Sequence, residues 1–285
     1  MDNINIIISR EDVFDDDIPN IGKEKLKNVN WVTLPTIDFR KIYSKEVKES
    51  LEKIINLYYH YCIFLSSNSV HLFFEIANDQ KKLTETLHAL SKIKTVVIGP
   101  KTKETLKKYG IDSEEACSHR NNNYSVVNIK NFLYELDLEN KNRLDLLRIL
   151  IPRSAQSIKS NNFININFKS IELNQVFFYD ICEKKDVSNS SEWKKLNELS
   201  KYSDKTFLIF TSPSTVRSFF NIIYQLLPQY SNSKSEMDVI HDLKVHKVIS
   251  IGPMTSRALI EKKIDHIESP VHTVKGTLEA VFELV

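Results

Sequence analysis

Val248-Ile-Ser-Ile-Gly-Pro-Met-Thr-Ser-Arg-Ala-Leu-Ile260 decides the fold, because the chain says it twice. The first copy is Val96-Val-Ile-Gly-Pro-Lys-Thr-Lys-Glu-Thr-Leu106. Each is an apolar, β-branched run, then Gly-Pro, then a Thr two residues after the Pro, then helical spacing. The run reads as a buried parallel strand. Gly99 and Gly252 are expected to allow a tight exit, and Pro100 and Pro253 suit the first turn of a helix. Thr102 and Thr255 then stand at helix starts, where free N–H groups and the helix dipole can hold an anion. A capping Thr in an ordinary strand-to-helix turn would give the same pattern in one copy. With only five glycines in the chain, two at matched places argue against coincidence.

The doubling extends outward. Ile63-Phe-Leu-Ser-Ser-Asn-Ser-Val-His-Leu-Phe-Phe74 aligns without a gap on Ile209-Phe-Thr-Ser-Pro-Ser-Thr-Val-Arg-Ser-Phe-Phe220. Ile6-Ile-Ile-Ser-Arg10 aligns on Ile149-Leu-Ile-Pro-Arg153. A looser match joins Tyr124–Leu133 to His272–Val281. The copies run from about residue 4 to 143 and from about 147 to the end. Repeats of that length indicate two related domains, not a solenoid.

A chain of 285 residues suffices for two cores. The net charge of +2 gives no bulk attraction to nucleic acid or an acidic membrane. No apolar run reaches membrane-spanning length. The N-terminus enters a strand almost at once, without a visible signal or transit peptide. Cys62, Cys117 and Cys182 are odd in number and far apart, which fits buried thiols in a reducing compartment. No Cys or His spacing suggests a metal site. The expectation is a cytoplasmic monomer with no nucleic-acid or membrane partner.

Strands are expected at 5–9, 31–37, 62–65, 95–98, 147–151, 174–182, 206–210 and 246–251, with helices between them. Pro35 marks the second as an edge or crossover. Tyr109-Gly110 ends a helix with a glycine signal. The acidic segment Glu11–Asp17 and Asn121–Asn123 read as loops, and Lys184–Ser190 as a linker. Gln229–Met237 reads as a polar insertion. Residues 154–170 show no clear period. The alternation implies parallel sheets flanked by helices, an α/β fold in two similar domains. Ligands bind such sheets beyond the carboxyl ends of the strands. There lie Ser66, Ser67, Asn68, Thr102, Thr211, Ser212, Ser214, Thr255 and Ser256, with Arg10 and Arg153 at matched strand ends. Hydroxyl and backbone donors of this kind suit carboxylates or phosphates, and the arginines would add charge-assisted contacts. A helix-capping role is the competing reading for each hydroxyl. No nucleophile elbow, Gly-x-Gly-x-x-Gly or Walker loop is present.

The run Phe210-Thr-Ser-Pro-Ser-Thr-Val-Arg-Ser-Phe219 followed by Ile251-Gly-Pro-Met-Thr-Ser-Arg-Ala-Leu259 resembles uroporphyrinogen-III synthases. So do the opening strand ending in Arg10, Leu34-Pro35, Ile151-Pro-Arg153 and the Tyr179 strand. Ser154 and Met254 depart from the pattern. The resemblance implies a discontinuous domain of residues 1–32 and 184–285, an inserted domain 38–174, and a two-stranded connector, 33–37 with 175–183. It implies closure of the linear tetrapyrrole hydroxymethylbilane to uroporphyrinogen III, with inversion of the last ring, loss of water and no cofactor. The substrate is a poly-acid, so anion donors fit it, and Tyr179 is implied as a weak acid toward the departing hydroxyl. Other readings are a non-catalytic sensor module on the same scaffold, since fold does not fix function, and an export-type solute-binding protein.

Overall fold

The computed structural model describes residues 4–10, 29–116, 126–141, 145–159, 164–185, 187, 190–199, 205–226 and 235–285. The Glu11–Asp17 and Asn121–Asn123 segments lie outside these residues, as do 229–234 of the expected insertion.

The chain divides into two compact units. Unit 1 is Met1–Asp38 with Cys182–Val285, and unit 2 is Phe39–Ile181. In unit 1 the strands β1 (Ile4–Ile8), β2 (Val29–Thr33), β9 (Lys205–Phe210), β10 (Val245–Ser250) and β11 (Ile267–Glu268) form a sheet of order β11-β10-β9-β1-β2. In unit 2 the strands β4 (Tyr61–Phe64), β5 (Lys94–Val97), β6 (Glu114–Glu115), β7 (Leu147–Ser154) and β8 (Ile171–Glu183) run β8-β7-β4-β5-β6, with β3 (Ile37–Lys41) outside β8. Neighbours within β2-β1-β9-β10-β11 and within β8-β7-β4-β5-β6 pair in parallel. Spatially β1, β2, β9, β10 and β11 correspond to β7, β8, β4, β5 and β6. The sheet of unit 1 therefore takes two strands from the first sequence copy and three from the second, and the sheet of unit 2 takes two from the second copy and, with β3, four from the first.

The edge pair β3–β8 is antiparallel: Ile42 N donates to the Phe178 carbonyl and Lys184 N to the Thr36 carbonyl. The expected single strand Trp31–Ile37 is in fact two, β2 and β3, because Leu34-Pro35-Thr36 interrupts it. Pro35 has no N–H to continue a ladder.

The matched sequences pack alike. Phe64 meets Phe73 edge-on at 5.3 Å between ring centres and Phe73 meets Phe74 at 5.3 Å. Their counterparts, Phe210 with Phe219 and Phe219 with Phe220, meet at 5.4 and 5.2 Å. All six rings are fully buried. Edge-to-face pairs of this type add about 0.5–1.5 kcal/mol each beyond area burial. These rings join the strand preceding each polar turn to the helix following it: β4 to α2 (Ser67–Asp79), and β9 to α8 (Pro213–Leu226). Among the described residues, the remaining helices of unit 2 are α1 (Lys45–Ile55), α3 (Leu83–Leu90), α4 (Pro100–Lys108), α5 (Val126–Glu139) and α6 (Gln156–Lys159), and those of unit 1 are α7 (Ser191–Leu199), α9 (Glu236–Asp242), α10 (Pro253–Glu261) and α11 (Val274–Glu283). The expected loop Gln229–Met237 thus ends in a helix, α9, opened by a capping box between Ser235 and Asp238. In chain order it stands where α3 does in unit 2, between the ring-bearing helix and the next strand.

Helix ends show how few glycines are available. Gly110, after α4, has φ +75, as the glycine signal predicts. Leu57, Lys81, Lys244 and Lys263 hold φ of 51–58 just past the ends of α1, α2, α9 and α10. These are left-handed positions that glycine ordinarily fills.

Candidate active site

The order in which the chain adds parallel strands turns back between β1 and β9 in unit 1 and between β7 and β4 in unit 2. In open α/β sheets, ligands bind outside the strands' carboxyl ends at such a switch point.

In unit 1, Ser9 follows β1 and Thr211 follows β9. Ser9 Oγ donates to Thr215 Oγ1 at 3.0 Å and accepts from Thr211 N at 3.2 Å, while Thr211 Oγ1 donates to the Ser9 carbonyl at 3.1 Å. Ser212 Oγ caps α8 by accepting from Thr215 N at 3.2 Å, and it lies 2.9 Å from Ser214 Oγ. Ser214 is the half-buried outer end of this hydroxyl chain, and Arg10 is half-buried beside Ser9. One turn along, Gly252 has φ 168, which is extended backbone open to any residue. Gly99 is extended too, at φ −173, so neither exit uses a conformation reserved for glycine. At Gly252 the reason is close approach: a Cβ there would lie 3.0 Å from the His272 ring. Thr255 is buried, and Ser256 Oγ is used internally, 2.6 Å from Ser250 Oγ and donating to Glu268.

In unit 2, Ser66 caps α2 in a box with Ser69: Ser69 N donates to Ser66 Oγ at 3.1 Å and Ser66 N to Ser69 Oγ at 3.2 Å. Ser67 is half-buried and Asn68 exposed on the same first turn. Thr102 is buried at the start of α4. Arg153, at the end of β7, is 3 % exposed and donates through Nη1 to Gln175 Oε1 at 2.8 Å.

Tyr179 depends on an irregularity in β8. Arg153 is in register with Phe177, but Ser154 is in register with Tyr179, so Phe178 is an extra residue. Such a bulge re-aims the side chains after it. Phe178 and Tyr179 both join the core beneath α1 and α2, whereas strict alternation would put them on opposite faces. The bulge brings the Tyr179 phenol to the Ser66 hydroxyl. Burial pushes the phenol's pKa up, and the Ser66 hydrogen bond and the Arg153 charge pull it back toward ionisation. Burial lowers Arg153 to about 10.

Within unit 2 the structure thus places Ser66 by Tyr179, with Arg153 on the neighbouring strand β7 bonded to Gln175, and within unit 1 it unites Thr211, Ser212 and Ser214. Thr102, Thr255 and Ser256 sit inward of their turns. The sequence reading does not single out Ser9 or Gln175. Ser9 was legible as the residue between the repeated apolar triplet and its arginine. Gln175 carried no signal. Among the described residues, no three His, Cys, Asp or Glu side chains are placed to hold a metal ion.

The family model for uroporphyrinogen-III synthase HemD matches residues 25–279. The chain belongs to the uroporphyrinogen-III synthase family. It is similar to a Methanocaldococcus jannaschii protein named "Putative uroporphyrinogen-III synthase", 23% identical over 253 residues, which are 88% of this chain and 87% of that one. Its fold is similar to the crystal structure of uroporphyrinogen-III synthetase from Helicobacter pylori 26695, with a TM-score of 0.57, 17% identity and 99% of each chain covered. As in that family, the fold is α/β, and no described helix is long and apolar enough to cross a membrane.

Proposed function

We propose that this uroporphyrinogen-III synthase family member closes hydroxymethylbilane to uroporphyrinogen III, inverting the final pyrrole ring and releasing water. The observation that carries this reading is the family match over residues 25–279. The geometry is consistent with it. The substrate bears an acetate and a propionate on each ring, and the turns after β4, β5, β9 and β10 offer hydroxyls and first-turn N–H groups suited to carboxylates. Arg10, Ser67, Asn68, Thr211, Ser212 and Ser214 are the proposed direct contacts. Thr102, Thr255 and Ser256 act from beneath their turns, and Ser66 and Arg153 act beside Tyr179.

In this reading Tyr179 passes its phenolic proton to the hydroxymethyl oxygen as the C–O bond breaks, water leaves, and the proton released from that pyrrole's N–H restores the balance as the azafulvene forms. The azafulvene so formed closes spontaneously to the uninverted isomer. The protein's task is to hold the last ring so that a spiro intermediate forms instead, which is positioning and charge placement. Residues 1–32 with 184–285 and residues 38–174 are taken as the functional domains, with 33–37 and 175–183 as their connector, in a cytoplasmic monomer using no cofactor.

The test is incubation with hydroxymethylbilane, oxidation and separation of the isomers. Isomer III in excess of the enzyme-free control supports the reading. Isomer I alone, at the control rate, overturns it.

A further inference from the structure

The loop between β11 and α11 lies over the turn that follows β10. Ser269 N donates to the Ser250 carbonyl at 2.9 Å. Ser269 Oγ and Thr273 N both donate to the Val271 carbonyl at 2.7 Å, and Gly276 N donates to Thr273 Oγ1 at 3.0 Å. The loop is packed as closely as it is bonded. A Cβ on Gly276 would meet the Val271 carbonyl oxygen at 2.2 Å, and one on Gly252 would meet His272 Cδ2 and Cγ at 3.0 Å. His272 is therefore held with the Cγ–Cδ2 edge of its ring against Gly252. Its Nε2 lies 3.8 Å from Glu268 Oε1. The other oxygen of that carboxylate accepts from Ser256 Oγ, itself 2.6 Å from Ser250 Oγ. Nδ1 of His272 has no partner among the described residues, and the side chain is 47 % exposed. Its chain neighbour Val271 is 51 % exposed, and Met254, two residues after Gly252, is 59 % exposed. A seated polar group among apolar side chains left in water has the make-up of a small-molecule subsite.

We propose that His272 is a substrate-binding residue, whose imidazolium turns Nε2 to Glu268 and donates from Nδ1 to a carboxylate of the tetrapyrrole, with Val271 and Met254 against that pyrrole ring. This deepens the reading given above, in which the turn after β10 faces the substrate's carboxylates, and rests on it. Both ring nitrogens donate only in the imidazolium form, and an acid on one nitrogen orients the ring for a ligand on the other. Because the loop is fixed before the ligand arrives, little ordering cost is left to binding. The acetate and propionate groups take no part in bond making, so the contact holds substrate, transition state and product alike.

The experiment uses two variants, each checked by thermal melting. His272→Phe keeps an aromatic ring against Gly252 and removes both nitrogens; His272→Ala removes the ring. Uroporphyrinogen III is titrated into the parent and both variants under anaerobic conditions, and the same proteins are assayed with hydroxymethylbilane. His272→Phe is expected to raise the product Kd and the KM roughly three- to tenfold, with kcat within about twofold of the parent. His272→Ala should do at least as much. In the parent, the imidazole NMR signals that both variants lack should shift when product is added. A ring that only packs would be replaced by Phe without loss, so a folded His272→Phe protein with parent-like Kd and KM, or imidazole signals that product leaves unmoved, would overturn the proposal. A loss confined to kcat counts against it too. A parent that neither forms isomer III nor binds the product refutes the proposed function itself, and the role of His272 falls with it.

Discussion

Gly276→Ala sets two effects against each other. Gly276 lies in the first turn of α11, where its N–H donates to Thr273 Oγ1 at 3.0 Å. Alanine is the better helix former by about 1 kcal/mol, which favours the mutant. The added methyl, however, would stand 2.2 Å from the Val271 carbonyl oxygen, 2.8 Å from Val271 Cβ and 3.0 Å from Ser269 Oγ. That carbonyl must retreat by roughly an ångström to reach ordinary contact distance. It is held by Ser269 Oγ at 2.7 Å and by Thr273 N at 2.7 Å. Losing both bonds costs about 1 kcal/mol each, and the residual overpacking about 1–3 kcal/mol. The net expectation is destabilisation of about 2–4 kcal/mol, or roughly 5–15 °C in Tm. The chain's two tryptophans, Trp31 and Trp193, both belong to unit 1, which holds Gly276. Tryptophan fluorescence during urea or thermal unfolding therefore reports on the right unit. A midpoint at or above that of the parent would refute the reasoning. The Val271–Thr273 loop also carries His272 over Gly252, so a folded Gly276→Ala protein should bind product more weakly.

Lys263→Gly removes a side chain from a φ of +56 at the end of α10; after the larger chain entropy of glycine is subtracted, a gain of about 0.5–1 kcal/mol is expected by the same fluorescence assay. Tyr179→Phe should lower turnover by more than it weakens product binding, measured by isomer analysis beside equilibrium titration; parent-like turnover would leave the residue a packing role. Asp137 is expected to make unit 2 acid-sensitive. Burial opposes its ionisation, but donation from Ser170 N and Oγ, each at 2.7 Å, and from Lys169 N outweighs it and holds the carboxyl below its usual range. A depressed carboxylate stabilises the fold above its unfolded pKa of about 3.9, and that contribution fades as pH falls through the folded value. Asp137→Asn should therefore be less stable than the parent at neutral pH and converge on it in acid, as circular-dichroism melts across pH would show.

The repeats were legible because strands, polar turns and ring pairs recur at fixed spacing. Phe64, Phe73 and Phe74 could be matched to Phe210, Phe219 and Phe220 before any coordinates. The capping serines Ser66 and Ser212 were visible too, though spacing alone does not distinguish a cap from a ligand contact. What stayed hidden depends on partners distant in sequence. The β8 bulge exists only relative to β7, so no local pattern announces that Tyr179 shares a face with Phe178. Gln175 is one more polar residue in a strand until Ile164 is placed beside it. The approach of the His272 ring to Gly252 joins residues separated by a helix, a strand and a loop. Near the end of the periodless 154–170 stretch, Ile164 is held by Gln175, and Lys169 and Ser170 by Asp137, all through side-chain bonds and not by a repeating ladder.

The exchange of strands between the two sequence copies bears on ancestry and on engineering. A polypeptide of half this length would carry the opening pair of one sheet and the closing trio of the other, and could complete neither alone. Two such polypeptides would satisfy each other by reciprocal donation, so the single-copy precursor is best pictured as an intertwined homodimer later fused end to end. Cutting the backbone near residue 145 should accordingly yield halves that are unfolded apart and regain structure only on mixing.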